Sequence, residues 1–235
     1  MKNQAAIFKR LILSLLLGFS FIPVSQAIII DSNGTWSNPT GTATVSGVGT
    51  STISWGNPTT SDGAQSSYNF SGNSNNINNA SIDGSIFDLG MFTHNNYPIF
   101  NFNFTGADLD LSLDIFDGVD LLASETFSFT FGHNETANSL PCDPLGSTIC
   151  PDVVSIPLAI TSDTVNIFGE NYTLELLGFS STGLGDVTTQ FITEEGQSNS
   201  ATLYGSLVKA SVPEPSSYLL LGIGLLGLAF RKIKS

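Results

Sequence analysis

The chain has 235 residues, of which only 11% are charged, and its formal net charge at pH 7 is −13. All 20 acidic residues lie between Asp31 and Glu214, and Lys209 is the only basic residue between Ile28 and Val212. Because phosphate contacts need lysine and arginine, we expect no nucleic-acid partner for this region. Its length suits one domain with a sizeable core.

The N-terminus has the three parts of a secretory signal peptide. A basic flank ending at Lys9-Arg10 precedes an apolar run of 12 residues, 11–22, and the small residues Ser25 and Ala27 follow Pro23. A membrane-spanning helix needs about 20 apolar residues. We therefore expect a cleavable signal helix over residues 1–27, which signal peptidase removes after Ala27. The alternative is a short N-terminal membrane anchor.

The C-terminus carries a second tripartite signal, over residues 212–235. The motif Val212-Pro213-Glu214-Pro215 is followed by a 14-residue apolar run, 217–230, and by the basic residues Arg231, Lys232 and Lys234. Basic residues keep this end on the cytoplasmic side, so the domain faces outward. Since the run is shorter than the ~20 residues of a stable span, we expect a short hydrophobic helix that inserts transiently. An ordinary C-terminal anchor is the alternative.

This tail resembles the PEP-CTERM sorting signal that exosortase-type transpeptidases handle. The resemblance implies cleavage close to Pro213-Glu214-Pro215, in a Gram-negative-type bacterium that makes exopolysaccharide. It also implies an exported protein of the cell envelope, cell surface or extracellular matrix, anchored in the membrane before its C-terminal signal is processed.

Alternation of apolar and polar residues dominates the region 28–211. It is clearest in four segments, 100–104, 108–115, 127–131 and 172–176. Each segment has one apolar face for a core and one polar face for water, as strands of antiparallel sheets do. We predict an all-β domain, an antiparallel β-sandwich of jelly-roll type. Residues 201–208 are predicted to form its last strand, and the Asn- and Ser-rich residues 68–81 a surface loop.

Cys142 and Cys150 are the only cysteines. In an exported protein, an even pair this close in sequence indicates a local disulfide. In the chain-entropy picture such a bond stabilises the fold by roughly 2–3 kcal/mol.

The segment Leu89-Gly90-Met91-Phe92-Thr93-His94-Asn95-Asn96-Tyr97-Pro98-Ile99 is distinctive. Together with Cys142 and the later Cys150-Pro151-Asp152, it resembles the bacterial extracellular choice-of-anchor domains, most nearly the K type. That resemblance implies a β-rich surface domain joined to an interchangeable sorting signal. It brings no catalytic residues to this chain.

His94 and His133 are the only histidines. We predict His94 in a turn ahead of a strand, with its imidazole hydrogen-bonded to the turn backbone, and His133 at an exposed hairpin tip. Use of either as a metal ligand or general base is the alternative, but no His-x-x-Glu-His spacing surrounds them.

Asp117 and Asp120 are the calcium candidates, because both flank a predicted turn and calcium takes oxygen ligands. Strand alternation by itself explains Asp108, Asp110 and Asp114 as a solvated face, which is the competing interpretation for the whole run.

Four aromatic residues could form a platform that stacks on sugars, as in jelly-roll lectins, or could belong to the core. They are Trp36, Trp55, Tyr68 and Tyr97.

We expect a non-enzymatic protein, structural or adhesive in an exopolysaccharide or biofilm layer. A carbohydrate-binding module, with or without calcium, is the first alternative, and exopolysaccharide is then its partner. A cryptic hydrolase is the second. There is no Gly-x-Ser-x-Gly elbow. We also expect no glutamate in an aromatic, apolar setting of the kind that raises a carboxyl pKa.

Overall fold

The computed structural model describes residues 27–73, 80–82, 84–100, 103–136, 151–156 and 163–210. The predicted signal helix, the C-terminal hydrophobic helix, the sorting motif and the pair Cys142 and Cys150 lie outside these ranges. Within them, no helix is long and apolar enough to cross a membrane.

The described part of the chain forms strands and one short 3-10 helix, Leu184–Asp186. In chain order the strands are β1 (Ala27–Gly41), β2 (Val45–Ser46), β3 (Thr52–Trp55), β4 (Asn57–Pro58), β5 (Ser66–Gly72), β6 (Ala80–Ser81), β7 (Ile86–Asn95), β8 (Ile99–Phe100), β9 (Phe104–Asp117), β10 (Asp120–Asn134), β11 (Asp152–Ser155), β12 (Val165–Ile167), β13 (Glu170–Ser180), β14 (Gln190–Thr193) and β15 (Ser198–Lys209).

Two antiparallel sheets make up the body of the domain. The first has the strand order β14-β11-β10-β9-β1-β6, and the second has the order β12-β13-β15-β7-β5-β3-β2. Strands β4 and β8 form a separate two-stranded ribbon. The prediction of an all-β antiparallel sandwich is confirmed. The segments 108–115, 127–131, 172–176 and 201–208 lie within β9, β10, β13 and β15, as their alternation predicts.

One apolar core lies between the sheets, because the strands turn alternate side chains inward. Trp36 from the first sheet contacts Phe92 and Tyr68 from the second, with ring centroids 6.1 and 5.2 Å apart. Edge-on and tilted aromatic pairs of this kind contribute about 0.5–1.5 kcal/mol beyond the area they bury. Aromatic packing therefore joins the two sheets.

The prediction of a surface loop over residues 68–81 is wrong at its beginning and at its end, where Ala80–Ser81 form β6 and pair with β1. Residues 68–72 belong to β5, and Tyr68 and Phe70 are buried in the core. The polar residues Asn69 and Ser71 alternate with them, so the Asn- and Ser-rich composition concealed a strand. Residues 74–79 lie outside the described ranges.

A β-bulge at Gly90 decides which face of β7 enters the core. Before it, Phe87 and Leu89 are buried, and after it Phe92 and His94 are buried. The pairing of β7 with β15 shifts register at this point. A bulge inserts one extra residue and exchanges the two faces of the strand beyond it. Without the bulge, His94 would face solvent.

Glycine is required at this bulge. Gly90 has a φ of 137°, and a Cβ added there would lie 2.4 Å from the backbone oxygen of Ser71 and 2.8 Å from the ring of Phe70. Both the backbone conformation and the close approach therefore oppose any side chain.

We predict that Gly90→Ala lowers the free energy of unfolding by more than about 2 kcal/mol, since it combines backbone strain with a steric clash. Gly49→Ala is the control, because Gly49 also has a positive φ, 82°, but its Cβ would meet nothing within 4 Å. The control is expected to cost about 1 kcal/mol, from backbone strain alone. Thermal and urea unfolding of the full chain measure both, and equal losses would contradict the steric argument.

Candidate functional site

Two histidines meet between the sheets at one end of the core. His94 is the next-to-last residue of β7 in the second sheet, and His133 is the next-to-last residue of β10 in the first. Their ring centroids are 5.5 Å apart with the rings perpendicular. The exposed fraction is 0% for His94 and 8% for His133.

Both sequence predictions for these histidines are corrected. His94 lies inside a strand and makes no hydrogen bond to turn backbone, because the bulge at Gly90 turns it into the core. His133 is buried and not at an exposed hairpin tip, because β10 continues to Asn134 and pairs with β11 through Val153 and Val154.

His133 is held through both ring nitrogens. Its Nδ1 lies 2.6 Å from the hydroxyl oxygen of Tyr68, and its Nε2 lies 3.1 Å from Oε2 of Glu135. Burial lowers the pKa of His133 to about 4, against the opposing effect of Asp152. The ring is therefore neutral at pH 7. In this state Nε2–H donates to Glu135 and the Tyr68 hydroxyl donates to Nδ1, so the Glu135 contact is a hydrogen bond and not an ion pair.

Asp152, the first residue of β11, points one carboxylate oxygen into the same space. Its Oδ1 accepts hydrogen bonds from the backbone N–H of Thr136 at 2.8 Å and from the Thr136 hydroxyl at 3.3 Å. Its Oδ2 lies 3.8 Å from Nε2 of His133 and has no hydrogen-bond partner among the described residues. One oxygen is fixed, and the other is left available.

His94 is held by packing alone within the described part of the chain. Its ring stacks on Trp55 with centroids 5.8 Å apart, and it meets Tyr68 edge-on at 5.1 Å. Neither ring nitrogen has a hydrogen-bond partner there. A buried polar group left without a partner costs about 1–3 kcal/mol. Burial, and then the neighbouring His133, hold the pKa of His94 well below its usual value.

Glu135 adds a second carboxyl group, immediately after β10. The indole N–H of Trp55 donates to its Oε2 at 3.4 Å, while Oε1 is buried without a partner in the described ranges. Burial raises the pKa of Glu135, and the Trp55 hydrogen bond partly opposes that rise. The expectation that no glutamate sits in an aromatic, apolar setting is wrong for this residue.

Glu195 supplies a third carboxyl group from the turn between β14 and β15. Asn96 holds this turn, because its backbone N–H donates to Gln197 and its backbone oxygen accepts from Gly196, both at 2.9 Å. Both carboxylate oxygens of Glu195 are buried without partners among the described residues. Burial, and then the charge of Glu135, raise the pKa of Glu195 to about 7.

The three carboxyl groups repel one another when ionised. Burial raises the pKa of Asp152 first, and the charges of Glu135 and Glu195 raise it further. Their ionised forms are therefore costly unless a cation compensates them. Imidazoles beside carboxylates are metal ligands by type, and both ring nitrogens of His94 have no hydrogen-bond partner among the described residues. One ligand atom from each of His94, His133 and Asp152 lies within 4.8 Å of the others.

The aromatic residues proposed as a sugar platform do not form one. Trp36, Trp55 and Tyr68 are all 0% exposed and belong to the core, and only Tyr97 is partly exposed. Trp55 and Tyr68 instead form the wall of the histidine–carboxylate cluster. Their alternation with polar neighbours was the signal for burial.

The calcium candidates lie elsewhere. Asp117 and Asp120 pair across the turn that joins β9 to β10. His133 is 13 residues further along β10 than Asp120, so at ~3.4 Å per residue the turn is about 44 Å from the cluster. Calcium binding at this turn stays a prediction. On the face of the strands, Asp108 and Asp110 accept hydrogen bonds from Thr130 and Ser128, each at 2.7 Å.

Comparison with known families identifies the C-terminal signal. Residues 211–234 match the PEP-CTERM protein-sorting motif. The match indicates an exported protein that is anchored at the membrane before exosortase processes it. It covers the tail and not the β-sandwich, so the resemblance to choice-of-anchor domains stays a prediction. No curated protein is similar enough to match this chain.

We predict opposite effects of one substitution at the two histidines, measured on the full chain with a chelator present. His94→Phe should raise the free energy of unfolding by about 1–2 kcal/mol, because it removes two unpartnered buried nitrogens and keeps the ring contacts. His133→Phe should lower it by about 1–3 kcal/mol, because it leaves Tyr68 and Glu135 without their partner. Destabilisation by both would show that His94 has a polar partner, contrary to its environment here.

Proposed function

We propose that this chain is a non-enzymatic surface or matrix protein whose β-sandwich has a structural or adhesive role in an exopolysaccharide layer. The observation that carries the proposal is the PEP-CTERM sorting motif at residues 211–234, directly after the last strand of the domain. Such a motif indicates delivery outside the cell, and the function therefore belongs to the surface of the sandwich.

The attachment end and the histidine–carboxylate cluster lie at opposite ends of β15. Asn199 pairs with His94, whereas Lys209 pairs with Tyr172, and Ala210 donates a backbone hydrogen bond to Asn171. The ten steps from Asn199 to Lys209 span about 34 Å at ~3.4 Å per residue. The sorting signal thus follows, in sequence, the end of β15 that lies away from the cluster.

The outer face of β9 and β10 supports a role in a hydrated matrix. Carboxylates and hydroxyls face each other across the two strands, in the pairs Asp108 with Thr130, Asp110 with Ser128, and Ser112 with Thr126. This polar face presents hydrogen-bonding groups and negative charge to water. The carbohydrate-binding alternative would use this face, because the predicted aromatic platform is buried.

The burial of the cluster favours the non-enzymatic interpretation over a hydrolase. His94 and Asp152 are both 0% exposed. A polysaccharide chain could not reach them without separation of the two sheets. The burial of these two side chains supports a stabilising role for the cluster.

We predict that replacing Pro213, Glu214 and Pro215 by alanine blocks processing in an exosortase-containing host. The variant should keep its hydrophobic tail and stay in the membrane fraction, whereas the unaltered chain should lose the tail. Intact mass and cell fractionation measure both. Lys209→Ala is the control, because its exposed ion pair with Glu170 at 3.0 Å contributes little. Processing of the triple variant at the normal rate would contradict an exosortase substrate.

We further predict that deletion of the gene weakens the exopolysaccharide layer. Restoring the full chain should restore cohesion, measured by rheometry or shear detachment. A reporter domain placed between residues 1–27 and 211–235 should be sorted but should not restore cohesion. Restoration by the reporter would contradict a structural role for the sandwich. Release of sugar from the polysaccharide by the purified chain would instead establish the hydrolase.

A further inference from the structure

We propose that His94, His133 and Asp152 form a binding site for one first-row divalent metal ion, best matched by Zn²⁺, with Glu135 as the fourth ligand. The site goes beyond the proposed structural role and does not depend on it.

Three donor residues lie close enough to share one ion, and Glu135 contacts one of them. With bonds of 2.0–2.2 Å to zinc, neighbouring ligand atoms are about 3.4 Å apart. Nε2 of His133 lies 3.8 Å from Oδ2 of Asp152 and 3.1 Å from Oε2 of Glu135. The ligand atoms of His94, His133 and Asp152 are all within 4.8 Å of one another.

Most of the atoms that would bind the ion have no other partner, and Nε2 of His133, which contacts Glu135, is the exception. Both ring nitrogens of His94, Oδ2 of Asp152 and Oε1 of Glu135 are buried without hydrogen bonds among the described residues. Buried polar atoms of folded proteins normally have partners. A single bound cation would be the missing partner of several of these atoms at once. His94 is the strongest case, because the chain places a polar ring in a fully buried, aromatic position.

The charge balance favours a cation at the same point. The carboxyl groups of Asp152 and Glu135 lie beside His133, and Glu195 is near enough for its charge to act on Asp152. Lys209 is the only lysine or arginine among residues 27–210, and it lies about 34 Å away along β15. No protein cation in the described part of the chain can compensate these carboxylates, whereas a divalent ion can.

The ligand types select the class of ion. Imidazole suits zinc, copper, iron and nickel, whereas calcium takes oxygen ligands throughout. Two histidines with carboxylates therefore favour zinc over calcium at this site. The calcium prediction concerns a different place, the turn at Asp117 and Asp120. The described residues offer no thiolate here, so cuprous ion is disfavoured.

Neighbouring groups already hold two ligands in position. Tyr68 contacts Nδ1 of His133, and Thr136 holds Oδ1 of Asp152 through two hydrogen bonds. When Nε2 of His133 binds the ion, its proton moves to Nδ1, which then donates to the Tyr68 oxygen. Metal-binding histidines are commonly oriented in this way through their second nitrogen.

The ion would join the two sheets. His94 belongs to β7 of the second sheet, whereas His133 and Asp152 belong to β10 and β11 of the first. Binding to the folded state alone stabilises it, in proportion to the logarithm of the ion concentration over the dissociation constant. The site would thus link the two sheets through a metal ion, in a domain whose described residues form one ion pair with a lysine or arginine.

The test uses the full chain in detergent, treated with chelator and titrated separately with Zn²⁺ and Ca²⁺. We expect about one zinc ion per chain and a zinc-dependent rise in melting temperature. Cobalt in place of zinc should give the strong visible absorption of a tetrahedral site. Asp152→Asn should weaken zinc binding by more than the roughly 10–100-fold that loss of an outer partner costs.

Three variants separate the site from folding and from other ligands. His94→Phe is expected to stay folded, to melt higher than the unaltered chain in chelator, and to lose zinc binding. Two double variants should keep zinc binding. They are Asp117→Asn with Asp120→Asn, and Cys142→Ser with Cys150→Ser. Zinc binding that survives His94→Phe, binding far below one ion per chain, or a melting temperature raised by calcium and not by zinc would overturn the proposal.

Discussion

The shortage of cations is the constraint on which the buried site depends. Residues 27–210 contain one lysine and no arginine, and that lysine is paired with Glu170 at the end of β15 away from the buried histidines and carboxyl groups. Ionised carboxylates in such a space are stable only with compensation, which arginine or lysine provides in most proteins. Here compensation comes from protons or from a bound ion. The lack of a nearby lysine or arginine therefore limits how the carboxyl groups of the cluster can be compensated.

The sandwich brings the cluster together from parts that are far apart in sequence. Tyr68 and His94 come from the second sheet, and His133 and Asp152 from the first. Aromatic contacts through Trp55 hold the two sides at a fixed separation. The same rings that stabilise the core exclude water from the polar groups, so packing and electrostatics are coupled at this end of the domain.

The strands were predictable and the site was not. Local alternation in segments such as 108–115 and 127–131 identifies strands because it reflects burial on one face, and it needs no knowledge of the partner strand. The same reasoning did not predict that His94 points into the core. Its inward orientation depends on the bulge at Gly90, where Ser71 and Phe70 of another strand leave no room for a side chain. The aromatic setting of Glu135 was not predicted for a related reason. It depends on Trp55, which is 80 residues away in the sequence.

The sequence by itself identified the C-terminal sorting signal, because the order of motif, apolar run and basic residues is a local property of the chain. It also determined the all-β class, through residue alternation. Only the tertiary structure decided that two isolated histidines and three scattered carboxyl groups share one space. Strand register, the exchange of faces at a bulge and the separation of the sheets are properties of paired strands, and no single segment contains them.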